Sequence, residues 1–154
     1  MDKIILTSIA FKSKEFIPVE YTCDGKNISP PLLWKNVSPE AESLVLIVDD
    51  PDASKKAWVH WLVYNIPPEI DRLPSNLTSA ENLSGKICVG RNDFHNNNYG
   101  GPCPPSGTHR YFFKIYALDC VLNLPSGKNK PEIEKAMEKH IIGSGELIGL
   151  YSKK

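Results

Sequence analysis

The sequence predicts a mostly β domain with elaborate loops, and three observations carry that prediction. Thirteen prolines and ten glycines are spread over 154 residues, which interrupts the chain too often for long helices. The apolar residues fall in many short runs rather than in long periodic stretches, as in proteins built from strands. Only one stretch, Pro131 to Ile142, has persuasive helical spacing. A chain of 154 residues suits one domain, residues 1–154, with core enough to stand without metal or disulfide staples.

Ile4 to Phe11 is expected as a first strand. Thr7 and Ser8 interrupt it and KSKEF follows, so it lacks both the continuous core and the small-residue cleavage site of a signal peptide. Glu20 to Trp34 is turn chemistry: Asp24 and Gly25 make a turn, Ser29, Pro30 and Pro31 make a stiff extended segment, and Trp34 anchors it to the core. Leu44 to Val48 reads as a buried strand, far short of the ~20 apolar residues that span a bilayer. Ala57 to Ile66, rich in aromatic and branched residues, reads as the next strand. The connection from Asp50 to Trp58 is too short for a parallel crossover, so the two strands turn back antiparallel.

Pro67, Pro68 and Pro74 then break the chain, Ile70 to Ser84 reads as polar loop, and Lys86 to Val89 as a short strand. Gly100 to Gly107 holds three prolines and three glycines in eight residues, which forces a rigid, sharply turned loop. The strand that follows carries His109, Tyr111, Phe113 and Ile115 on one face, a polar pair opening an apolar row. In the helix, Pro131 suits the first turn, Glu132 and Glu134 the positive end, Lys139 and His140 the negative end, and Gly143 the stop. Glu146 to Tyr151 closes the chain as a strand.

Charge excludes some functions. Lys plus Arg and Asp plus Glu number 18 each and are scattered, so the basic footprint of a nucleic-acid or anionic-membrane binder is missing. Cys23, Cys88, Cys103 and Cys120 form no CxxC pair, which together with the leaderless reading predicts reduced thiols and a cytoplasmic location. Cys23 and Cys103 lie in loops facing one pocket, so a disulfide between them stays an open alternative.

The candidate groups for one site are Asp50 or Asp52, His60, His109 and Tyr111; the short turn places the carboxylates beside Trp58 and His60, which share a strand face, and convergence with His109 and Tyr111 is assumed. Two imidazoles, a phenol and the amides of a glycine-proline loop are hydrogen-bond donors suited to a small anion such as a phosphate monoester. A neighbouring carboxylate orients an imidazole and favours its cationic form. His95 and His140 read as ordinary surface or hydrogen-bonded residues. Nucleophilic chemistry is weakly marked: no GxSxG elbow is present, Ser106 lacks a strand-to-helix turn, and Cys103 sits in a stiff loop. No recognised metal-ligand spacing occurs among His60, His109 and the aspartates.

Five blocks, DGKNISPPLLW from Asp24, LVLIVDDPDA from Leu44, WVHWLVYNIP from Trp58, GGPCPPSGTHRYFFKIYALD from Gly100 and GELIGLY from Gly145, resemble the phosphatidylethanolamine-binding protein family, most closely its bacterial and archaeal Raf-kinase-inhibitor-like branch. The resemblance implies a β-sandwich-like fold with a large central antiparallel sheet and one or two short peripheral helices. It implies an anion cavity built from Asp50 with Asp52 in the DPD block, Trp58, His60, the Gly101 and Pro102 turn, His109 and Tyr111. It also implies a small phosphorylated or anionic ligand and no general catalytic activity, with regulation of a kinase or protease as an alternative. No cofactor is expected, and an unrecognised phosphoester hydrolase using His60, His109 and Asp50 as acid, base and orienter is a further alternative read from the residues themselves. The branch often forms homodimers, though no stretch here marks a dimer face. Two departures stand out: Ser54 replaces the usual proline after the DPDA block, and no long C-terminal helix follows Tyr151, so a more open pocket is expected.

Overall fold

A computed structural model describes residues 2–80 and 83–154. The large sheet has the strand order β1 (Asp2–Lys3), β10 (Ile141–Ser152), β9 (Thr108–Leu118), β5 (Ser43–Asp50), β6 (Trp58–Ile66), β8 (Cys88–Val89). Its centre is antiparallel: β5 (Ser43–Asp50) lies between β6 (Trp58–Ile66) and β9 (Thr108–Leu118), and β10 (Ile141–Ser152) continues beyond β9. At the margins, β1 (Asp2–Lys3) and β3 (Glu15–Phe16) each pair with β10 in parallel, and β8 (Cys88–Val89) pairs with β6. A smaller antiparallel sheet joins β2 (Ile5–Thr7), β4 (Leu32–Lys35) and β7 (Arg72–Leu73).

The unbroken apolar run in β5 follows from its position. All eight of its residues are buried, because both faces of the large sheet are covered. Leu44, Leu46 and Val48 join the core shared with Leu6, Leu32, Trp34 and Leu73 of the smaller sheet. Val45 and Ile47 face the other way, into a core closed by Ile133 and Met137 of the helix. Strand β9 buries Tyr111, Phe113, Ile115 and Ala117 toward the inter-sheet core, the alternation expected from its sequence. Trp34 anchors its segment as expected, buried and donating from Nε1 to the Ile70 carbonyl at 3.1 Å.

Three expected elements differ. The first strand is split: Ile4 bonds to Ser144 of β10 through its amide, and the chain then changes sheets to form β2. The segment expected as loop from Ile70 to Ser84 contains the two-residue strand β7, while its Glu81 and Asn82 lie outside the described residues. The helix, α1, covers only Lys130–Met137. Its start is well specified, with Asn129 and Glu132 forming a reciprocal capping box. Its end comes early because Lys139 is left-handed, φ 67°, and Ile141 is paired with Leu118. Lys139 and His140 therefore lie beyond the helix, and Gly143 is a strand residue rather than its stop. Among the described residues no helix is long and apolar enough to cross a membrane.

Candidate functional site

Strand direction assembles the site. Because β5 runs antiparallel to both neighbours, its last residue, Asp50, meets the first residues of β6 and β9; Asp50 pairs with Trp58, and Asp49 with both Val59 and Phe112. A bulge then sets His60. Val48 pairs with Trp61 and Asp49 with Val59, so His60 is the extra residue on β6, and such an insertion re-aims a side chain. His60 and Trp58 thus line the cavity while Val59 stays in the helix-side core.

The loop before β9 is held close by contacts that require glycine. The Gly100 amide bonds to the His60 carbonyl at 3.0 Å, and a Cβ there would stand 2.5 Å from the Phe94 ring. The Gly101 amide donates to Asn27 Oδ1 at 2.8 Å, and a Cβ there would stand 2.4 Å from the Tyr21 carbonyl oxygen. Cys103 is disulfide-bonded to Cys23, and the Cys23 amide donates to the Pro102 carbonyl at 3.1 Å. The expectation of four reduced thiols is corrected for this pair, whose separation of 80 residues brings two loops together. A cytoplasmic location loses the support it drew from reduced thiols. Cys103 is also removed as a thiol nucleophile.

The result is a cavity of about 440 Å³ lined by Asp50, Asp52, Trp58, His60, His109 and Tyr111 together with Ala53, Ser54, Phe94, Cys103, Pro104, Pro105 and Ser106. Gly101 and Pro102 are buried and are not among its lining residues; they hold the loop from behind. Phe94 is the principal wall that the sequence did not reveal. Its ring meets Trp58 edge-on at 5.6 Å and His60 at 5.3 Å, but it lies in an asparagine-rich loop with no periodicity to mark it.

Each cavity histidine commits one ring nitrogen to the protein. His60 Nδ1–H donates to the Gly100 carbonyl at 2.6 Å, and His109 Nδ1–H donates to Asp50 Oδ2 at 2.6 Å. Nε2 of each is then left for a guest. Burial lowers the His60 pKa, a shift only partly opposed by the Gly100 carbonyl and the Asp50 charge, so His60 is held neutral. Burial first, and then the negative charge of Asp50, raises the Tyr111 pKa and keeps its hydroxyl protonated. The Tyr111 and His60 rings meet edge-on at 5.2 Å.

The two aspartates divide their work. Asp50 is 4% exposed; its Oδ1 accepts the Asp52 amide at 2.8 Å and its Oδ2 accepts from His109, so both oxygens are engaged within the protein. Asp52 lies at the rim and binds Arg110 with both oxygens, at 2.8 and 3.0 Å, and also accepts the Arg110 amide. Chiefly through that guanidinium its pKa falls to about 2. No lysine or arginine is among the lining residues. The arrangement offers the Tyr111 hydroxyl and Nε2 of each imidazole as polar contacts, between aromatic and proline walls.

Comparison with known proteins gives the same picture along the whole chain. The family model described as Phosphatidylethanolamine-binding protein matches residues 7–152. A UPF0098 protein of Methanothermobacter thermautotrophicus is 51% identical over 148 residues, covering 96% of this chain and 98% of its own. A UPF0098 protein of Aquifex aeolicus is 45% identical over 149 residues, 95% of this chain and 86% of its own. The crystal structure of a phosphatidylethanolamine-binding protein homologue, CT736, from Chlamydia trachomatis superposes with a TM-score of 0.91 at 40% identity, covering 100% of both chains. E. coli YbcL, described as a member of the mammalian PEBP family, superposes with a TM-score of 0.90 at 31% identity, over 98% of this chain and 99% of its own. With the motif order, the sheet topology and these likenesses in agreement, the chain belongs to the phosphatidylethanolamine-binding protein family.

Proposed function

We propose that the chain is a binding module for a small phosphorylated or otherwise anionic ligand, held between His60 and His109. The observation that supports this reading is the shared arrangement of the two imidazoles, each fixed through Nδ1 and each lining the same cavity. A phosphate oxygen would take hydrogen bonds from Nε2–H of His109 in its cationic form and from the Tyr111 hydroxyl. Neutral His60, whose Nδ1 carries its proton, would accept at Nε2 from a monoprotonated phosphate. Asp50 would not touch the anion; it would hold the His109 ring in place. The aromatic wall of Trp58 and Phe94 would cover the remainder of the ligand. With no lysine or arginine in the lining, affinity for bare phosphate should be weak, with a Kd of about 1 mM, equivalent to roughly −4 kcal/mol.

The test is a titration of phosphate and of phosphoethanolamine against the wild type and His109→Ala, followed by NMR of the histidine ring protons. The expected result is movement of the His60 and His109 signals in the wild type and loss of binding in the variant. Unmoved signals with both ligands would remove this reading.

A further inference from the structure

A second group of chemically capable side chains lies at the opposite end of the large sheet. Asp119 follows the last residue of β9 and His140 precedes the first residue of β10. His109 and Asp119 are separated by ten positions along an extended chain, which is roughly 30 Å. Asp119, Cys120 and His140 each bring one ligand atom into a cluster whose atoms all lie within 4.8 Å of one another. We propose that these three residues form a site for a borderline divalent transition metal, zinc by preference, with water completing the coordination.

The donor set points to that class of ion. A thiolate, an imidazole and a carboxylate together favour zinc and its neighbours over magnesium or calcium, which take oxygen ligands. Three protein ligands with one open position is a recurrent zinc arrangement. The framework is already fixed: the Asp119 amide donates to the His140 carbonyl at 2.9 Å, and Leu118 pairs with Ile141. Two further strands hold the segment after β9: Ser43 Oγ of β5 donates to the Cys120 carbonyl at 2.6 Å, and Asn65 Oδ1 of β6 accepts the Leu122 amide at 2.8 Å. The ligand side chains are reachable, since His140 and Asp119 are 44% and 48% exposed and Cys120 is a half-buried free thiol.

The Asp119 carboxylate gives the cluster a negatively charged member. On binding of the ion the Cys120 S–H bond breaks, its proton goes to solvent, and a metal–sulfur bond replaces it. His140 Nδ1 now lies 2.8 Å from Asp119 Oδ1. If the ring ligates through Nδ1, the proton shared there is displaced too; if it ligates through Nε2, Asp119 can still orient the ring.

The experiment is a Co2+ titration of the full chain with its disulfide intact. The expected result is a thiolate-to-cobalt charge-transfer band that saturates at one equivalent and is displaced by Zn2+. It should be absent in Cys120→Ala, unchanged in Cys88→Ala and His109→Ala, and at least about tenfold weaker in affinity in His140→Ala, the loss that even an outer-shell change can cause. Absence of the band in the wild type, or its survival in Cys120→Ala, would overturn the proposal. A readout free of any folding defect at Cys120 is alkylation of the wild type. Zn2+ should protect Cys120 but not Cys88, with protection lost in His140→Ala; equal labelling of Cys120 with and without Zn2+ would also overturn it.

Discussion

Asp50 Oδ2 lies 2.6 Å from His109 Nδ1, and the other oxygen of the same carboxylate holds the Asp52 amide at 2.8 Å. Asp50 is thus a positioning group, with two donors that each need an acceptor. It joins the end of β5 to the start of β9 and to the turn that follows β5.

Asp50→Asn should separate that role from folding. An amide has only one oxygen, so either the His109 ring or the Asp52 amide loses its acceptor. The expected stability loss is about 1–3 kcal/mol, and phosphate affinity should fall by about tenfold, or ~1.4 kcal/mol. Urea unfolding and the histidine-detected titration measure the two effects. Retention of wild-type affinity would show that Asp50 does not prepare His109. Arg110→Ala provides the contrast, because its Asp52 pair is at the rim; the expected cost is below about 1 kcal/mol.

His60 should make stability depend on pH. Its pKa in the folded protein lies below the ordinary 6.5, chiefly through burial, so the unfolded chain takes up a proton first as pH falls. Its contribution is fully present above pH 6.5 and declines as pH drops from there toward the lower folded value. Unfolding free energies measured at steps across that window should therefore fall with acidity more steeply in the wild type than in His60→Asn. Parallel curves would mean that His60 is not held neutral.

Reduction of the Cys23–Cys103 bond should loosen both the fold and the cavity. The bond closes a loop spanning 80 positions, and removing such a link typically costs about 2–4 kcal/mol. Cys103 also lines the cavity, so a several-fold weakening of phosphate binding should accompany the loss. Denaturation midpoints with and without reductant, repeated on Cys103→Ser, provide the check. A reductant-insensitive midpoint in the wild type would contradict it.

Much of this was legible because burial and alternation leave plain marks. The branched run of β5 marks a strand covered on both sides, and the order His109, Tyr111, Phe113, Ile115 gives the polarity of β9. The short antiparallel connection between β5 and β6 marked Asp50 as a neighbour of Trp58 and His60, whereas His109 and Tyr111 reach them through pairing of β9 with β5 across a long stretch of chain, which spacing alone does not reveal. Other features left weaker marks. The tail of the expected helix continued the helical apolar spacing through Ile141, yet pairing with Leu118 claimed that residue for β10. Strand β7 is two residues long, too short for any period. Phe94 reaches the cavity through loop geometry, and the partner of Cys103 lies far away in sequence.

The insertion at His60 also determines where the chain can change length. On its C-terminal side, Trp61 and Val63 face the inter-sheet core while Leu62 and Tyr64 face the helix; on its N-terminal side, Val59 faces the helix. One residue thus reconciles two reading frames of a single strand. Deleting it would close the bulge and leave Val59 on the helix face and Trp58 on the cavity face, but would take the buried imidazole out of the site. The exposed turn at Ser54, Lys55 and Lys56 lies outside the ladder, so that turn can vary in length, whereas β6 cannot shorten at His60 without losing a cavity side chain.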